Sequence, residues 1–443
     1  MDFATSDAPE VQAQLDRLAA LSLPQGRFGL ETITALLAYL GNPHKRLPPS
    51  FHIAGTNGKG STCAFLRAML EAAGHRVHVF SSPHLVRFNE RIRLAGRLIE
   101  DEALAAVLAE VLDAAQAAGL APSFFEVTTA AAFLSFARTP GDACVIEVGL
   151  GGRFDASNVL EQPAACGIAS LGIDHEAFLL SPDKDAPQSP FSRIAFEKAG
   201  IAKRAAPLVT LDYTQRMNEE IAAQAAAVDA PLLRQRSEWR FTRGSKALFY
   251  GDRRGRIKLP LPRMMGAHQA KNAALAAAMI RHQTAIDVPE AALAAGVERA
   301  HWPARLQLLG QGPLTALLPQ ATACWLDGGH NRDAGAALSK FFRHDDRPIH
   351  LVIGMLANKN PGAIVLELQG RLASVTVVPV PGHECHPVEA FTPIPLIPAP
   401  CSAGSIEAAL RALKVDAAKQ QVLIAGSLYL AGEVLRLNQE LPD

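Results

Sequence analysis

The residues best suited to chemistry form a short run of small, polar and basic side chains: Gly55, Thr56, Asn57, Gly58, Lys59, Gly60 and Ser61. An apolar run precedes them and helically spaced apolar residues follow, which predicts a strand, a loop and a helix. In such a loop, backbone N–H groups and the helix N-terminus converge on an anion. Lys59 supplies a cation for outer phosphates, and Ser61 or Thr62 a hydroxyl for a magnesium ion. The run therefore predicts a nucleotide-phosphate site.

The strict P-loop pattern is not met. Ile53 stands where its first glycine belongs, and Gly60 separates Lys59 from Ser61. The alternative is a plain glycine turn with a solvated Lys59. The combination of glycines, lysine and hydroxyl favours the phosphate site, because every part that such a site needs is present.

Two later predicted strands each end at, or just before, a side chain that could bind a metal ion. The first side chain is a carboxylate and the second is a histidine. Glu147 ends the apolar run Cys144–Ile146, at the edge where open α/β sheets gather ligands, so it can face a magnesium ion. The alternative is an ion pair with a local arginine such as Arg153. His175 follows a later strand, and its residues alone leave a metal ligand and a surface histidine equally open.

The bulk composition excludes some partners. The 443 residues carry 43 basic and 43 acidic side chains, so no general basic field exists for nucleic acid or an anionic membrane. Six scattered cysteines without metal-type pairing suit a reducing cytoplasm. The first ten residues lack a signal-peptide pattern, and no apolar run is long enough to span a bilayer. We therefore expect a cytoplasmic protein.

Strands and helices alternate along most of the chain, which predicts an α/β fold. A P-loop domain with a doubly wound, mostly parallel sheet is expected over residues 1–299, with a hairpin at Arg240–Pro262. A smaller Rossmann-like α/β domain is expected over residues 300–443. Its predicted strands are Cys324–Leu326, Ile349–Ile353, Val375–Val380 and Val422–Ile424.

Several motifs resemble a known family. The loop Gly55–Ser61 resembles that of ATP-dependent amide ligases related to the muramyl ligases. Ser82–Leu85 and Asn89–Ile92 resemble one branch, the folylpolyglutamate synthase/dihydrofolate synthase family. The chain before the loop has no room for the separate domain usual in muramyl ligases, which favours this branch. The resemblance spans Leu30 to about Gly432.

The resemblance implies two magnesium sites. The block Glu147–Asn158 is similar to the family's most recognisable segment, which implies that Glu147 is a magnesium ligand, and His175 gains the same role. Lys198 alone would be a solvated helix lysine, but in this family that lysine is commonly carbamylated and helps hold a second ion. The link Phe178–Ser192 is longer and richer in proline than the family's usual link.

Other matching segments imply substrate contacts. Ser123–Glu126 resembles the family's Thr-x-Phe-Glu, and the resemblance implies that Phe125 and Asp155 shape a pterin site, with Ser82 also contacting the substrate. From the residues alone, Phe125 as a core side chain and Asp155 as a turn residue remain open.

The segments that carry Asn272 and Arg305 resemble those whose asparagine contacts ATP and whose arginine reaches its phosphates. Unaided, both would be surface residues. Asp327–Asn331 matches apart from Gly329, which implies that Asp327 and His330 face the cleft and position ATP and glutamate. The alternative is a helix start capped by Asn331 or Asp333.

A different departure lies beside Lys359. Asn358 and Asn360 stand where the family has aspartates. No charge role is therefore carried over to these two positions.

Together these observations predict a monomeric, ATP- and magnesium-dependent ligase that joins L-glutamate to dihydropteroate, to a tetrahydrofolate glutamate tail, or to both. Three alternatives remain open: another muramyl-ligase-type carboxylate–amine ligase, a small-molecule kinase and a nucleotide-dependent regulatory protein.

Overall fold

The computed structural model describes residues 5–21, 29–173, 179–180, 183, 186–395 and 397–443. The α-helices in these residues are α1 Pro9–Ala19, α2 Glu31–Tyr39, α3 Lys59–Ala72, α4 Asp101–Ala117, α5 Phe124–Arg138, α6 Pro190–Ala199, α7 Gln215–Ala227, α8 Ala267–His282, α9 Glu290–Arg299, α10 Arg332–Phe342, α11 Gly362–Val365, α12 Ile406–Ala412 and α13 Leu428–Leu437.

The strands are β1 Ser50–Ala54, β2 Val77–Phe80, β3 Ile92–Leu94, β4 Arg97–Leu98, β5 Ala143–Glu147, β6 Ala165–Ile168, β7 Leu208–Thr210, β8 Leu232–Arg234, β9 Trp239–Arg243, β10 Ala247–Asp252, β11 Gly255–Pro260, β12 Gln307–Leu308, β13 Ala323–Leu326, β14 Ile349–Ile353, β15 Leu372–Val377, β16 Cys401–Ser402 and β17 Gln421–Ala425.

The first sheet has eight strands in the order β4-β3-β2-β5-β1-β6-β7-β8. Its six strands from β2 to β8 run parallel, and β3 and β4 form an antiparallel edge. Every residue of β1 and β5 is buried because helices cover both faces. Helices α3, α8 and α9 pack on one face, and α1, α2, α4 and α5 on the other. The doubly wound, mostly parallel sheet is confirmed.

The predicted hairpin at Arg240–Pro262 is instead a three-stranded antiparallel sheet, β11-β10-β9. The sheet has one covered face, on which Trp239, Leu248, Tyr250, Ile257 and Leu259 are buried, whereas Arg240, Phe249 and Lys258 on the other face are exposed. Trp239 and Tyr250 pack into the same core as α8. The prediction missed a strand because it did not use the second turn signal in the sequence, Gly244–Ser245, which separates β9 from β10.

The last sheet has six strands in the order β12-β13-β17-β14-β15-β16. Only β12 is antiparallel to its neighbour; the other five strands run parallel. The four strands predicted here are present, and β15 begins three residues before the predicted start at Val375. A second, Rossmann-like parallel sheet is therefore confirmed.

Two chemical expectations concern the whole chain. Cys63, Cys144, Cys166 and Cys324 are buried free thiols, as their apolar surroundings in the sequence indicate. Within the described residues, no helix combines the length and the apolar character that crossing a bilayer requires.

Candidate functional site

The glycine loop leaves the carboxyl end of β1, at the centre of the first sheet, and enters α3 at Lys59. The Lys59 ammonium donates to the Gly55 carbonyl at 3.1 Å, so it lies across the loop. The Thr62 hydroxyl donates to the Gly58 carbonyl of its own helix at 2.8 Å. That bond leaves Ser61 as the better hydroxyl for a cation, and Ser61 Oγ lies 3.3 Å from the Gln269 side-chain amide.

Two glycines allow distant side chains to approach the loop closely. Gly58 has a φ of +88°, and a Cβ there would lie 2.6 Å from Asn272 Oδ1. A Cβ at Gly60 would lie 2.8 Å from the Trp302 indole nitrogen. Asn272 is only 2% exposed, so the unaided expectation of a surface residue is wrong for it. An alanine-rich helix buried on all sides, such as α8, gives no amphipathic signal that would reveal this.

Glu147 ends β5, the strand beside β1, and is 4% exposed. Its Oε2 atom has no hydrogen-bond partner among the described residues. Burial raises the pKa of this carboxyl group to about 6, against the opposing effects of the positive charges on Lys59 and Arg305. A buried carboxylate oxygen beside two cationic side chains fits a divalent cation bound with phosphate.

The ion pair with Arg153, the alternative for Glu147, is wrong. Arg153 instead lies 2.9 Å from Glu197 and 2.8 Å from Asp183. His175, the other expected ligand, lies outside the described residues. In the remainder, no three His, Cys, Asp or Glu side chains cluster as a metal centre.

A small cavity lies between the glycine loop and the turn Gly149–Gly151. Lys59 and Lys198 both line it, and Lys198 is only 4% exposed. Lys198 is therefore not the solvated helix lysine that the sequence alone indicated. Two lysines around one cavity favour an anionic occupant.

The expected pterin residues lie beside this turn. A Cβ at Gly149 would lie 2.4 Å from the Phe125 ring, and Phe125 also packs on Phe80 at 5.8 Å between ring centroids. Ser123 and Glu126 form a reciprocal capping box at the start of α5, so these two motif residues build the helix that carries Phe125.

Asp155 is buried, and both of its carboxylate oxygens accept hydrogen bonds from its own loop. Oδ2 accepts from the Leu150 N–H at 2.9 Å, and Oδ1 accepts from the Ser157 N–H at 3.0 Å. Ser82 follows β2 and is half-buried, and its backbone N–H is one of the groups that lower the pKa of Glu147. Ser82 therefore lies next to the same strand end as Glu147.

The second sheet presents its own strand-end carboxylate. Asp327 follows β13 and accepts from the Leu306 N–H at 2.9 Å and from the Gly329 N–H at 2.7 Å. Arg305 lies between Ala304 and Leu306, whose φ values of +56° and +47° are left-handed. Such strained non-glycine residues persist where surrounding contacts over-determine them. The Asp327 carboxylate is one such contact, and it fixes the backbone that carries Arg305.

Contacts between the two parallel sheets also involve the glycine loop. The Asn57 and Asn331 side-chain amides donate to each other at 3.2 and 3.1 Å. Asn331 also caps α10, as its position in the sequence predicted, by accepting from the Ala334 N–H at 3.0 Å. Leu85 contacts α13 at Gly432, where a Cβ would overlap its carbonyl. No local sequence pattern predicts these pairs, because their members are hundreds of residues apart.

Three further positions singled out in the sequence lie in turns of the second half of the chain. His330 lies in the turn after Asp327, with Nδ1 3.2 Å from the Gly328 carbonyl. Asn360 accepts from the Gly362 N–H at 2.8 Å at the start of α11, which is a role for an amide at this departure from the family pattern. Asn358 is exposed.

The fold and this edge define the class: an α/β protein with a P-loop-type glycine loop at the carboxyl edge of one parallel sheet, faced by a second parallel sheet. No protein-family model matches the chain. The folylpolyglutamate synthase of Lacticaseibacillus casei is 32% identical over 427 residues, which cover 91% of this chain and 92% of that protein. The chain therefore belongs to the folylpolyglutamate synthase/dihydrofolate synthase family.

Other similarities agree with this family. The probable bifunctional folylpolyglutamate synthase/dihydropteroate synthase of Halobacterium salinarum is 31% identical over 430 residues. The match covers 91% of this chain but 49% of that relative, so the chain spans about half the length of the archaeal protein.

Two solved structures share the whole fold. Escherichia coli FolC in complex with DHPP and ADP superimposes with a TM-score of 0.83 at 29% identity, over 98% of each chain. The bifunctional folylpolyglutamate synthase/dihydrofolate synthase of Yersinia pestis, complexed with AMPPNP and a Mn ion, gives a TM-score of 0.83 at 27% identity. That match covers 96% of this chain and 97% of the other.

Proposed function

We propose that this chain is an ATP-dependent ligase that joins L-glutamate to a folate-type carboxylate, either dihydropteroate, a tetrahydrofolate glutamate tail, or both. One observation carries the proposal: the buried Oε2 of Glu147, without a hydrogen-bond partner among the described residues, lies near a phosphate-type loop and two cationic side chains. The relatives' names and the nucleotide complexes of the two solved structures support the same activity.

The loop residues Thr56, Asn57, Gly58, Lys59, Gly60 and Ser61 bind the ATP phosphates in this proposal. Asn272, buried against Gly58, contacts the nucleotide from α8. Arg305 reaches the same phosphates from the segment between the sheets. Its guanidinium remains charged and offers several donors, which suits a phosphoryl group in transfer.

The reaction has two steps. The substrate carboxylate attacks the γ-phosphorus of ATP, and the bond from that phosphorus to the β-phosphate oxygen breaks. ADP departs, and the substrate becomes an acyl phosphate. The neutral α-amine of glutamate then attacks the acyl carbon, inorganic phosphate leaves and the amine loses a proton as the amide forms. The protein aligns the reactants and neutralises charge through the loop amides, Lys59 and Arg305.

Magnesium ions would be held by Ser61 and Glu147 at one site, with His175 as a further ligand, and near Lys198 at a second site. When bound, they neutralise negative charge on the phosphate oxygens. The Mn ion in the Yersinia pestis complex supports a divalent metal here.

We propose that Lys198 is carbamylated: its neutral amine attacks carbon dioxide, one proton leaves, and the resulting carbamate is anionic. Lys198 is buried and lines the same cavity as the half-buried Lys59, which supports an altered charge on Lys198, since two neighbouring ammonium groups repel each other. Lys198→Ala should lose nearly all activity, and small carboxylic acids should restore part of it. Full activity of Lys198→Ala, together with an unmodified Lys198 in the wild-type protein in bicarbonate and magnesium, would contradict the second metal site.

The pterin is proposed to lie beside Phe125, Asp155 and Ser82. The Phe125 ring offers a face for a flat heterocycle, and Asp155 offers its remaining acceptor capacity to a ring N–H. On the other side of the cleft, Asp327 and His330 help position ATP and the incoming glutamate. The DHPP complex of the Escherichia coli protein supports a pterin-type ligand.

We further propose that residues 1–299 and 300–443 are two domains and that the protein acts as a cytoplasmic monomer. The two parallel sheets lie on either side of the proposed boundary. The free, mostly buried thiols support a reducing compartment.

A glutamate-incorporation assay with dihydropteroate and tetrahydrofolate offered side by side tests the activity. We expect ATP hydrolysis only when glutamate and one folate acceptor are both present. Phosphorylated product without glutamate would indicate the kinase alternative. ATP binding without substrate-stimulated turnover would indicate a regulatory protein.

A further inference from the structure

Three buried side chains form a hydrogen-bonded series from the centre of β1 to the turn after β5. His52 Nε2 lies 2.8 Å from Ser157 Oγ, and Ser157 Oγ in turn contacts Asp155 Oδ1. His52 and Ser157 are 0% exposed and Asp155 is 5% exposed. The first two residues have no part in the function proposed above, although they lie directly behind the proposed pterin site.

Chemistry fixes the direction of these hydrogen bonds. An ionised carboxylate only accepts, so the Ser157 hydroxyl donates its proton to Asp155. The same hydroxyl must then accept from His52, which therefore carries its proton on Nε2. Burial, with a smaller effect from the nearby positive charge of Lys203, lowers the pKa of His52 to about 3. The ring is therefore neutral and donates one proton at neutral pH.

The hydrogen bond from His52 restricts rotation of the Ser157 hydroxyl. A hydroxyl group rotates about its C–O bond and chooses among acceptors. With a donor fixed at its lone pair, Ser157 keeps its single proton directed at Asp155. This matters because burial raises the pKa of Asp155, and the hydrogen bonds from Ser157 and Leu150 oppose that rise.

The orientation of Asp155 in turn positions the turn beside Phe125. Its second oxygen holds the Leu150 N–H, next to Gly149, whose backbone lies against the Phe125 ring. The carboxylate therefore joins the centre of β1 to the wall of the proposed pterin site.

We propose that His52 and Ser157 are positioning residues that act through Asp155, orienting its carboxylate and the turn at Gly149–Gly151 for the substrate's heterocycle. This inference rests on the pterin site proposed above. It concerns binding of the pterin substrate and does not involve the contacts of the nucleotide loop.

Two pairs of variants test the inference in the full-length protein. Ser157→Ala and His52→Met remove a donor, whereas Ser157→Thr and His52→Gln keep one at nearly the same place. We expect the first pair to raise the KM for dihydropteroate about tenfold, the worth of one hydrogen bond to a charged group. The KM values for ATP and glutamate should change less than about twofold. His52→Gln and Ser157→Thr should recover most of the loss.

The structure offers a matched control. In the second sheet, His350 Nδ1 lies 2.8 Å from Ser374 Oγ, far along the chain from the site. Ser374→Ala should lower the Tm as Ser157→Ala does and leave every KM unchanged. If Ser157→Ala behaves like this control, the pair is structural and the inference is wrong. Should His52→Met fail to fold, Ser157→Ala still decides, because it leaves β1 intact.

Asp155→Asn distinguishes a failure of this inference from a failure of the proposed pterin site on which it rests. If it leaves the KM for dihydropteroate unchanged, the proposed pterin site itself is wrong. If it raises that KM while Ser157→Ala does not, only the present inference is wrong. If both raise it, the double variant should be no worse than Asp155→Asn alone, because one residue acts through the other. Additive losses would contradict the inference.

Discussion

Glu147 and Asp327 occupy equivalent places in two different sheets, and they differ in what their oxygens contact. Glu147 is the last residue of β5 and Asp327 directly follows β13, and both are nearly buried, at 4% and 7% exposure. Both carboxylate oxygens of Asp327 accept hydrogen bonds from backbone N–H groups, whereas one oxygen of Glu147 has no hydrogen-bond partner in the described part of the chain. A strand-end carboxylate therefore holds a turn where N–H donors surround it, and where such donors are missing it keeps an oxygen available for the cation proposed above.

The largest expected effect lies on the Glu147 side of this comparison. Lys59→Ala removes the charge next to the outer phosphates and should lower kcat about a thousandfold, as loss of one preorganised donor does. The exposed Lys340→Ala on α10 is the control and should leave kcat unchanged. Steady-state kinetics with a circular-dichroism check of folding measure the effect. Near-normal turnover in folded Lys59→Ala would end the phosphate-site assignment.

Exchanging each carboxylate for its amide tests the contrast directly. Glu147→Gln should raise the magnesium concentration for half-maximal activity by more than about tenfold, because a neutral amide is a poor ligand for a hard cation. Asp327→Asn should leave that concentration nearly unchanged. A magnesium titration of both variants measures the difference, and equal shifts would show that the two residues are not distinct.

Stability should show the reverse order of the two variants. Asp327→Asn leaves a buried backbone N–H facing an amide NH₂, which should cost about 1–3 kcal/mol of unfolding free energy. Urea denaturation without nucleotide or magnesium measures it. An unchanged midpoint would mean that the hydrogen bonds to Leu306 and Gly329 are dispensable.

The smallest expected effect is a gain in the stability of Glu147→Gln in the absence of metal. Because the folded pKa of Glu147 is raised to about 6, ionising it in the metal-free protein costs stability as pH rises from about 4.5 to 6, and the cost persists above that range. Glu147→Gln should therefore be more stable than the wild type at pH 7–8 in EDTA, by up to about 2 kcal/mol. Below pH 4.5 this advantage should vanish. A constant difference across pH would contradict the buried, ionised carboxylate.

Local patterns were enough to predict the first of these two edges. The apolar runs of β1 and β5, each followed by glycines, place Lys59 and Glu147 at one sheet edge because parallel strands share their direction. Ser123 and Glu126 have the spacing of a capping box, although the resemblance assigns them to a substrate motif. Its local hydrogen bonds show that it starts α5.

The closing side of the cleft could not be predicted from the residues alone. Asn272 and Trp302 reach the loop only because α8 and the segment after α9 pack against α3, and no periodicity encodes such contacts. The same holds for the Asn57–Asn331 pair, whose members lie 274 residues apart. The resemblance supplied Asn272 and Arg305, but neither the contact of Asn272 with Gly58 nor the hydrogen bond between Asp327 and Leu306 that holds the backbone beside Arg305.

The paired amides of Asn57 and Asn331 have a consequence for ionic strength. Two neutral amides that exchange hydrogen bonds carry no net charge, so dissolved ions do not screen their attraction as they screen an ion pair. The register between the glycine loop and α10 should therefore stay the same from dilute buffer to concentrated salt, even while the affinity for a polyanionic nucleotide falls. Salt would weaken what the cleft holds without loosening this contact across it.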